Sequence, residues 1–241
     1  MRAMVFAAGL GTRLRPLTAQ VPKCLVTAGG KPLLQHVLER LKDAGVDSVV
    51  INLHHLGDQV RAFMAEHDQF DLEVHYSEEA ELLETGGGLL QASPWFEGED
   101  DFLVINSDIW TDLDLTHLLY HHRNTNALAT LAVATRQTSR YLHFDEELNL
   151  TGWESQRTGE NIHWGAAAYR RLAFNGIHVM RGAMIPYLRR WSGAFGIIPV
   201  YLELAQAGEL ISGFHMANAT WFDVGTQEKL ETLREFLGNA A

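Results

Sequence analysis

Arg2-Ala3-Met4-Val5-Phe6-Ala7-Ala8-Gly9-Leu10-Gly11-Thr12-Arg13-Leu14-Arg15-Pro16-Leu17-Thr18-Ala19-Gln20-Val21-Pro22-Lys23 joins an apolar run to a glycine loop that carries three cations. Arg2 to Ala8 has the pattern of a strand buried on both faces, and Gly9 turns it into a tight loop. Glycines after a buried strand let backbone N–H groups approach a phosphate, and an Arg and a Lys in the same loop add charge. The loop is not the dinucleotide fingerprint, because the third glycine would fall at Leu14. Nor is it a Walker A loop, since no Gly-Lys-Ser/Thr closes it.

Outward from that loop, Pro32 opens Leu33, Leu34, Val37, Leu38 and Leu41 at helical spacing, and Gly45 stands in the position of a C-terminal cap. Val49 to Leu53 reads as the next strand, Val60 to Glu66 as the core of a helix, and Leu72 to Tyr76 and Asp101 to Asn106 as further strands. That alternation predicts a mostly parallel sheet with helices on both faces. After residue 125 the texture changes: Ala127 to Ala134 and Phe174 to Met180 read as strands, and Tyr141 to Trp153 as a hairpin around Asp145-Glu146-Glu147. Helices are expected at about Ile185 to Trp191, Val200 to Ala207 and Thr226 to Leu237. With no repeat and no linker, the expectation is one domain, residues 1–241, with two functional halves at about 1–125 and 126–241.

The chain has 241 residues, 46% apolar and 20% charged, enough to bury a sizeable core and too apolar for disorder. No 18-residue apolar run is present, which argues against a membrane span. The net charge of −11 argues against a nucleic-acid surface. Residues 1–38 hold Arg2, Arg13, Arg15, Lys23 and Lys31 with no Asp or Glu, a net of +5, so residues 39–241 carry −16. The positive charge is therefore concentrated at the glycine loop. Cys24 is the single cysteine and has no internal disulfide partner. Met1-Arg2 and the short run Ala3 to Leu10 imitate a signal peptide only loosely, so the run reads as a strand and the location expected is cytoplasmic. The pairs His54-His55 and His121-His122 point to alternate faces and have no partner at zinc-finger spacing.

Taken whole, G-x-G-T-R-x-x-P-L-T-x-x-x-P-K closely resembles the signature of the sugar-1-phosphate nucleotidyltransferases, or nucleotide-sugar pyrophosphorylases, and the resemblance extends over nearly the whole chain. Leu83-Glu84-Thr85-Gly86-Gly87-Gly88, Asn106-Ser107-Asp108 and Trp221-Phe222-Asp223-Val224-Gly225-Thr226 resemble the family's later motifs in the same order. The resemblance implies a nucleotide-diphospho-sugar transferase fold, α/β and Rossmann-like, with a mixed, mostly parallel sheet. It implies an enzyme that joins a nucleoside triphosphate to a sugar 1-phosphate and releases pyrophosphate with Mg²⁺. Ala7, Gly9, Gly11, Thr12, Arg13, Lys23, Glu79, Gly86 and Gly87 would then hold the nucleotide, Asp108 and Asp223 the metal, and Asn106, Glu154, Asn175 and Gly176 the sugar phosphate, with Arg13, Lys23 and Asp108 catalytic.

Many relatives have Glu-Lys-Pro where this chain has Glu154-Ser155, and Arg157, Arg170 and Arg171 nearby are candidates to meet an acidic sugar substituent. Length and motifs are most similar to the short bacterial N-acetylmuramate 1-phosphate uridylyltransferases, with mannose 1-phosphate guanylyltransferases close behind and phosphocholine cytidylyltransferases more distant. Two other classes compete: a non-catalytic nucleotide-sugar-binding subunit, and a glycosyltransferase that consumes nucleotide sugars. The first usually lacks the lysine or a metal carboxylate, and the second needs no G-x-G-T-R…P-K loop. The sequence carries no sign of oligomeric state.

Overall fold

A computed structural model describes residues 1–239. The chain runs β1 (Arg2–Phe6), β2 (Thr27–Ala28), β3 (Lys31–Pro32), α1 (Leu33–Asp43), β4 (Ser48–Leu53), α2 (Gly57–Glu66), β5 (Glu73–Glu78), α3 (Glu84–Ala92), β6 (Asp101–Asn106), β7 (Ile109–Thr111) and α4 (Leu115–Arg123). It continues through β8 (Ala129–Ala134), β9 (Arg140–Phe144), β10 (Leu150–Ser155), β11 (Asn161–His163), β12 (Arg170–Arg181), α5 (Ile185–Leu188), α6 (Ile197–Gln206), β13 (Ile211–His215), β14 (Trp221–Asp223) and α7 (Gln227–Asn239).

Strands β6, β1, β4 and β5 lie side by side in parallel, as the alternation of elements predicts. β12 runs antiparallel to β6 and continues the same sheet into β9, β10 and β11, while β8 pairs with β12 and β13 with β8. The sheet is thus mixed and mostly parallel at its centre. Because successive strand residues face opposite ways, Ala3 and Val5 enter one core layer with α1, α2 and α4, and Met4 enters the other with α3, α5 and α6. A third, smaller cluster joins Leu14 of the glycine loop to Leu33, Val224, Leu230 and Leu233, so the loop rests on α7.

Several elements differ from expectation. The helix expected at Ile185 to Trp191 is a single turn, Ile185–Leu188. β12 is twelve residues long and changes partner along its length. α4 has an ordinary start signal that composition hides: Asp114 accepts from the amides of Thr116 and His117 at 2.9 and 3.1 Å. The glycine-rich Glu84–Gly88 segment, whose Gly86 and Gly87 the resemblance sets against the nucleotide, is the first part of α3.

Candidate active site

The carboxyl ends of β1, β4 and β6 open on a cavity of about 220 Å³ lined by Ala7, Gly9, Lys23, Asn52, Glu79, Thr85, Asn106 and Asp108 among others, where open α/β sheets hold ligands. Its floor is a chain of hydrogen bonds. Asn52, buried on β4, accepts from the amides of Ala7 and Ala8 at 2.6 and 3.3 Å and donates to Glu79 Oε1 at 2.6 Å. Glu79 Oε2 in turn accepts from the Leu83 amide at 3.0 Å. Both oxygens of Glu79 are therefore engaged in bracing the wall, and the Ala7 amide is taken by Asn52.

Gly86 and Gly87 have a packing role that sequence reasoning did not foresee. Their amides donate to the Phe195 carbonyl at 2.8 and 3.1 Å, and both are buried against the loop Ser192 to Phe195. From that segment Leu82, Glu84 and Thr85 line the cavity instead.

Lys23 and Asp108 form an ion pair inside the cleft. Behind Lys23, burial pushes the Cys24 thiol up to about 12, which keeps it neutral and unsuited to nucleophilic work. Asp108 and Asp223, 115 positions apart, are brought together by a separate two-stranded ribbon in which β14 pairs antiparallel with β7. Asp223 stands opposite Ile109, and the Val224 amide donates to the Asp108 carbonyl at 2.9 Å. Lys229 donates to Asp223 Oδ2 at 2.6 Å. Gly225 lies between the two charges: a Cβ on it would stand 2.6 Å from Asp223 Oδ1 and 3.1 Å from a terminal nitrogen of Arg13. Arg13 and Asp223 thus approach one point from two ends of the chain. Gly11 and Thr12 form the bend that precedes Arg13.

On the other side of the ribbon, β12 shifts register between Phe174 and His178, and that irregularity contains Asn175 and Gly176. Gly176 has φ +73°, and a Cβ there would lie 2.7 Å from Asn106 Nδ2, so Asn106 and Gly176 do meet. Asn175 is buried and its side chain does not point to an open site: Oδ1 accepts from Arg136 Nε at 2.8 Å and Nδ2 lies 3.1 Å from Met216 Sδ. Glu154 sits outside the cavity lining, on β10, held by Arg171 and, at 3.1 Å, by His143 Nε2. Burial alone would raise its carboxyl, but those two partners hold it below the usual carboxylate range. Arg171 is therefore committed to Glu154 and to the Tyr141 ring, 4.5 Å away.

Arg136 is the residue that sequence reasoning missed. Its guanidinium lies over the Trp221 ring at 4.2 Å, on the same ribbon strand as Asp223. A usable signal existed: Thr135-Arg136 directly follows the apolar strand Ala129–Ala134, as Asp108 follows Asp101–Asn106.

Residues 2–147 match the family described as nucleotidyl transferase. The sequence is 32% identical over 241 residues, 99% of both chains, to the N-acetylmuramate alpha-1-phosphate uridylyltransferase of Neisseria meningitidis serogroup B. It is 35% identical over 144 residues, 58% of this chain and 40% of the relative, to a mannose-1-phosphate guanyltransferase of Gibberella zeae. The fold is similar to a solved UDP-glucose pyrophosphorylase from Acinetobacter baumanii, with a TM-score of 0.79 at 18% identity over 99% of this chain and 93% of that one.

Proposed function

The chain belongs to the nucleotidyl transferase family, an enzyme family, and on that premise we propose that it joins UTP to N-acetylmuramate 1-phosphate and releases pyrophosphate. One observation carries the choice of substrates. Similarity to the uridylyltransferase runs through 99% of this chain, past Glu154 and Asp223, whereas similarity to the mannose enzyme covers 58% of it. The broader reaction, nucleotidyl transfer from a nucleoside triphosphate to a sugar 1-phosphate, follows from the family itself. No helix among the described residues is long and apolar enough to cross a membrane. We assign the reaction to the cytoplasm, where nucleoside triphosphates are made.

In that reaction an oxygen of the sugar 1-phosphate attacks the α-phosphorus in line. The new P–O bond forms as the bond to the β-phosphate oxygen breaks, and pyrophosphate carries away the electron pair. A phosphate monoester is already ionised near neutral pH, so the attack needs no general base. The obstacle is the approach of one anion to another, and fixing both reactants in line can contribute about 7–11 kcal/mol. Arg13 and the loop amides from Gly9 to Arg13 hold the β- and γ-phosphates, and Lys23 lies between the α-phosphate and the acceptor phosphate. Glu79 acts through Asn52 to fix the wall beside the base, and Asn106 with Gly176 forms the boundary of the sugar subsite.

The residues present fit a bound Mg²⁺. Asp223 ends β14 and Asp108 immediately precedes β7, the two segments being joined by the Val224 amide to the Asp108 carbonyl, and both side chains are hard oxygen donors. Among the described residues no group of three or more His, Cys, Asp or Glu could hold a metal, so phosphate oxygens and water would complete the shell. When bound there, Mg²⁺ supplies charge neutralisation at the phosphates. The deciding experiment measures pyrophosphate release from four nucleoside triphosphates against a panel of sugar 1-phosphates and phosphocholine. The largest kcat/KM is expected for UTP with N-acetylmuramate 1-phosphate. A preference for GTP with mannose 1-phosphate or CTP with phosphocholine would overturn the substrate choice, and no release from any pair would point to a binding subunit.

A further inference from the structure

On that reading the acceptor brings a second phosphate to the site, where Lys23 is shared with the α-phosphate, and beside the carboxylate ribbon stands a further cation, Arg136, that belongs to none of the motifs. Along β14 the order is informative. Trp221 and Asp223 share one face of the strand, since side chains alternate. Arg13 reaches the Gly225 end of that segment, and Arg136 covers Trp221 at the other end. Asp223 therefore has a guanidinium on each side, one from the glycine loop and one from the segment after β8.

Arg136 is also fixed more firmly than a solvated arginine. Its Nε donates to Asn175 Oδ1 at 2.8 Å and one terminal nitrogen to the Phe174 carbonyl at 2.9 Å. The Trp221 indole donates to the Asn175 carbonyl at 2.9 Å, which locks the ring beneath the guanidinium. The second terminal nitrogen has only a 3.4 Å contact to the Gln137 carbonyl. Burial works against its charge while Asp223 supports it, so the fold holds a half-buried cation beside the ribbon at some cost. A guanidinium held in this way is pre-organised to bind an oxyanion with little further loss of freedom.

We infer that Arg136 binds the 1-phosphate of the acceptor, on the side of Asp223 opposite Arg13, and that Asn175 is the positioning residue that aims it. This rests on the nucleotidyl-transfer reading of the site. It assigns the two guanidiniums to different substrates: Arg13 to the triphosphate, Arg136 to the attacking phosphate. The same cation could in principle meet a carboxylate on the sugar ring, so the test separates the two sources of negative charge.

The experiment is steady-state kinetics of Arg136→Ala and Arg136→Lys with UTP and two acceptors, N-acetylmuramate 1-phosphate and the uncharged-ring glucose 1-phosphate. Loss of a charge-assisted contact should raise acceptor KM about tenfold or more in Arg136→Ala and by a similar factor for both acceptors. The KM for UTP should stay within about twofold, and Arg136→Lys should recover part of the loss because it keeps the charge without the fork. An unchanged acceptor KM, or an equal rise for UTP, overturns the inference. A loss confined to the muramate acceptor also overturns it, by assigning Arg136 to the ring carboxylate. If Arg136→Ala does not fold by circular dichroism, Arg136→Lys and Arg136→Gln are compared instead. If the wild type turns over no pair, the proposed function fails and calorimetric titration with glucose 1-phosphate decides this inference alone. Binding about tenfold weaker in Arg136→Gln than in wild type supports it, and equal or absent binding overturns it.

Discussion

On the side of the cleft assigned to the nucleotide, Asn52 links the amides of Ala7 and Ala8 to Glu79, and Glu79 links to the amide of Leu83. On the side assigned to the sugar, the links run mostly from side chain to side chain: Arg136 to Asn175 and Trp221, and Glu154 to Arg171 and His143. The first wall is tied to the main chain at strand ends, so its shape follows from the sheet. The second is tied chiefly between side chains of β9, β10, β12 and β14, with the Phe174 and Asn175 carbonyls as its main-chain anchors, and can change with a few substitutions while the sheet stays the same. A common reaction on the rigid wall and a variable acceptor on the adjustable one is the division of labour this difference suggests.

Four measurements would break or sharpen that contrast, and the largest effect is expected at the centre. Lys23→Ala removes the cation assigned to the space between the two reacting phosphates and should lower kcat about 10²–10³-fold, as loss of one charge-stabilising donor does elsewhere. A variant with near-normal turnover would remove Lys23 from the mechanism. Asn52→Ala leaves buried donors at Ala7 and Ala8 and an unpaired oxygen of Glu79, and should destabilise the fold by about 2–3 kcal/mol in urea unfolding. If it costs nothing, the first wall is not held as described. On the second wall, Gly176→Ala forces a left-handed residue and a clash with Asn106 and Ile109. It should cost about 1–2 kcal/mol and weaken acceptor binding while KM for the triphosphate is unmoved.

The smallest effect concerns pH. Two imidazoles are buried, His178 on β12 and His122 on α4: burial brings His178 down to about 3, next to Tyr201 at 2.5 Å, and His122 down to about 4 despite Asp101. Both are neutral in the fold, whereas an unfolded histidine titrates near about 6.5. Unfolding therefore takes up protons below that value, and stability should fall as pH drops from about 6.5 toward 4, by about 1.4 kcal/mol per pH unit for each ring. Melting temperature against pH measures it, and a flat profile over that window would refute the neutral assignment. Replacing His178 by Asn should flatten the slope by roughly one ring's share.

Legibility in the sequence follows the same division. Asp101–Asn106 is a strand with the bounds its apolar run predicts, and the glycine loop and Asp108 meet because each follows directly on a strand end, while Lys23 reaches the same cavity from the turn Lys23–Leu25 ahead of β2. The roles of Gly86 and Gly87 were not legible, because their space is set by Phe195, more than a hundred positions away. Asn175 was legible as a position on β12 but not as a partner of Arg136, since a register shift decides which way it points. For Arg136 the sequence offers only its place just after the apolar strand Ala129–Ala134, and its stacking on Trp221 becomes visible in the fold alone.

The β7–β14 ribbon also sets a clock on the chain's synthesis. Residues 1–108 carry the glycine loop, Lys23 and the first carboxylate, yet β7 has no ladder partner until residues 221–223 have been made. Through more than a hundred further residues a nascent chain can form the Lys23–Asp108 pair without Asp223, and α7, whose Lys229 pairs with Asp223, follows later still. The β7–β14 ladder and the Lys229–Asp223 pair can therefore form only after residue 229 has been made.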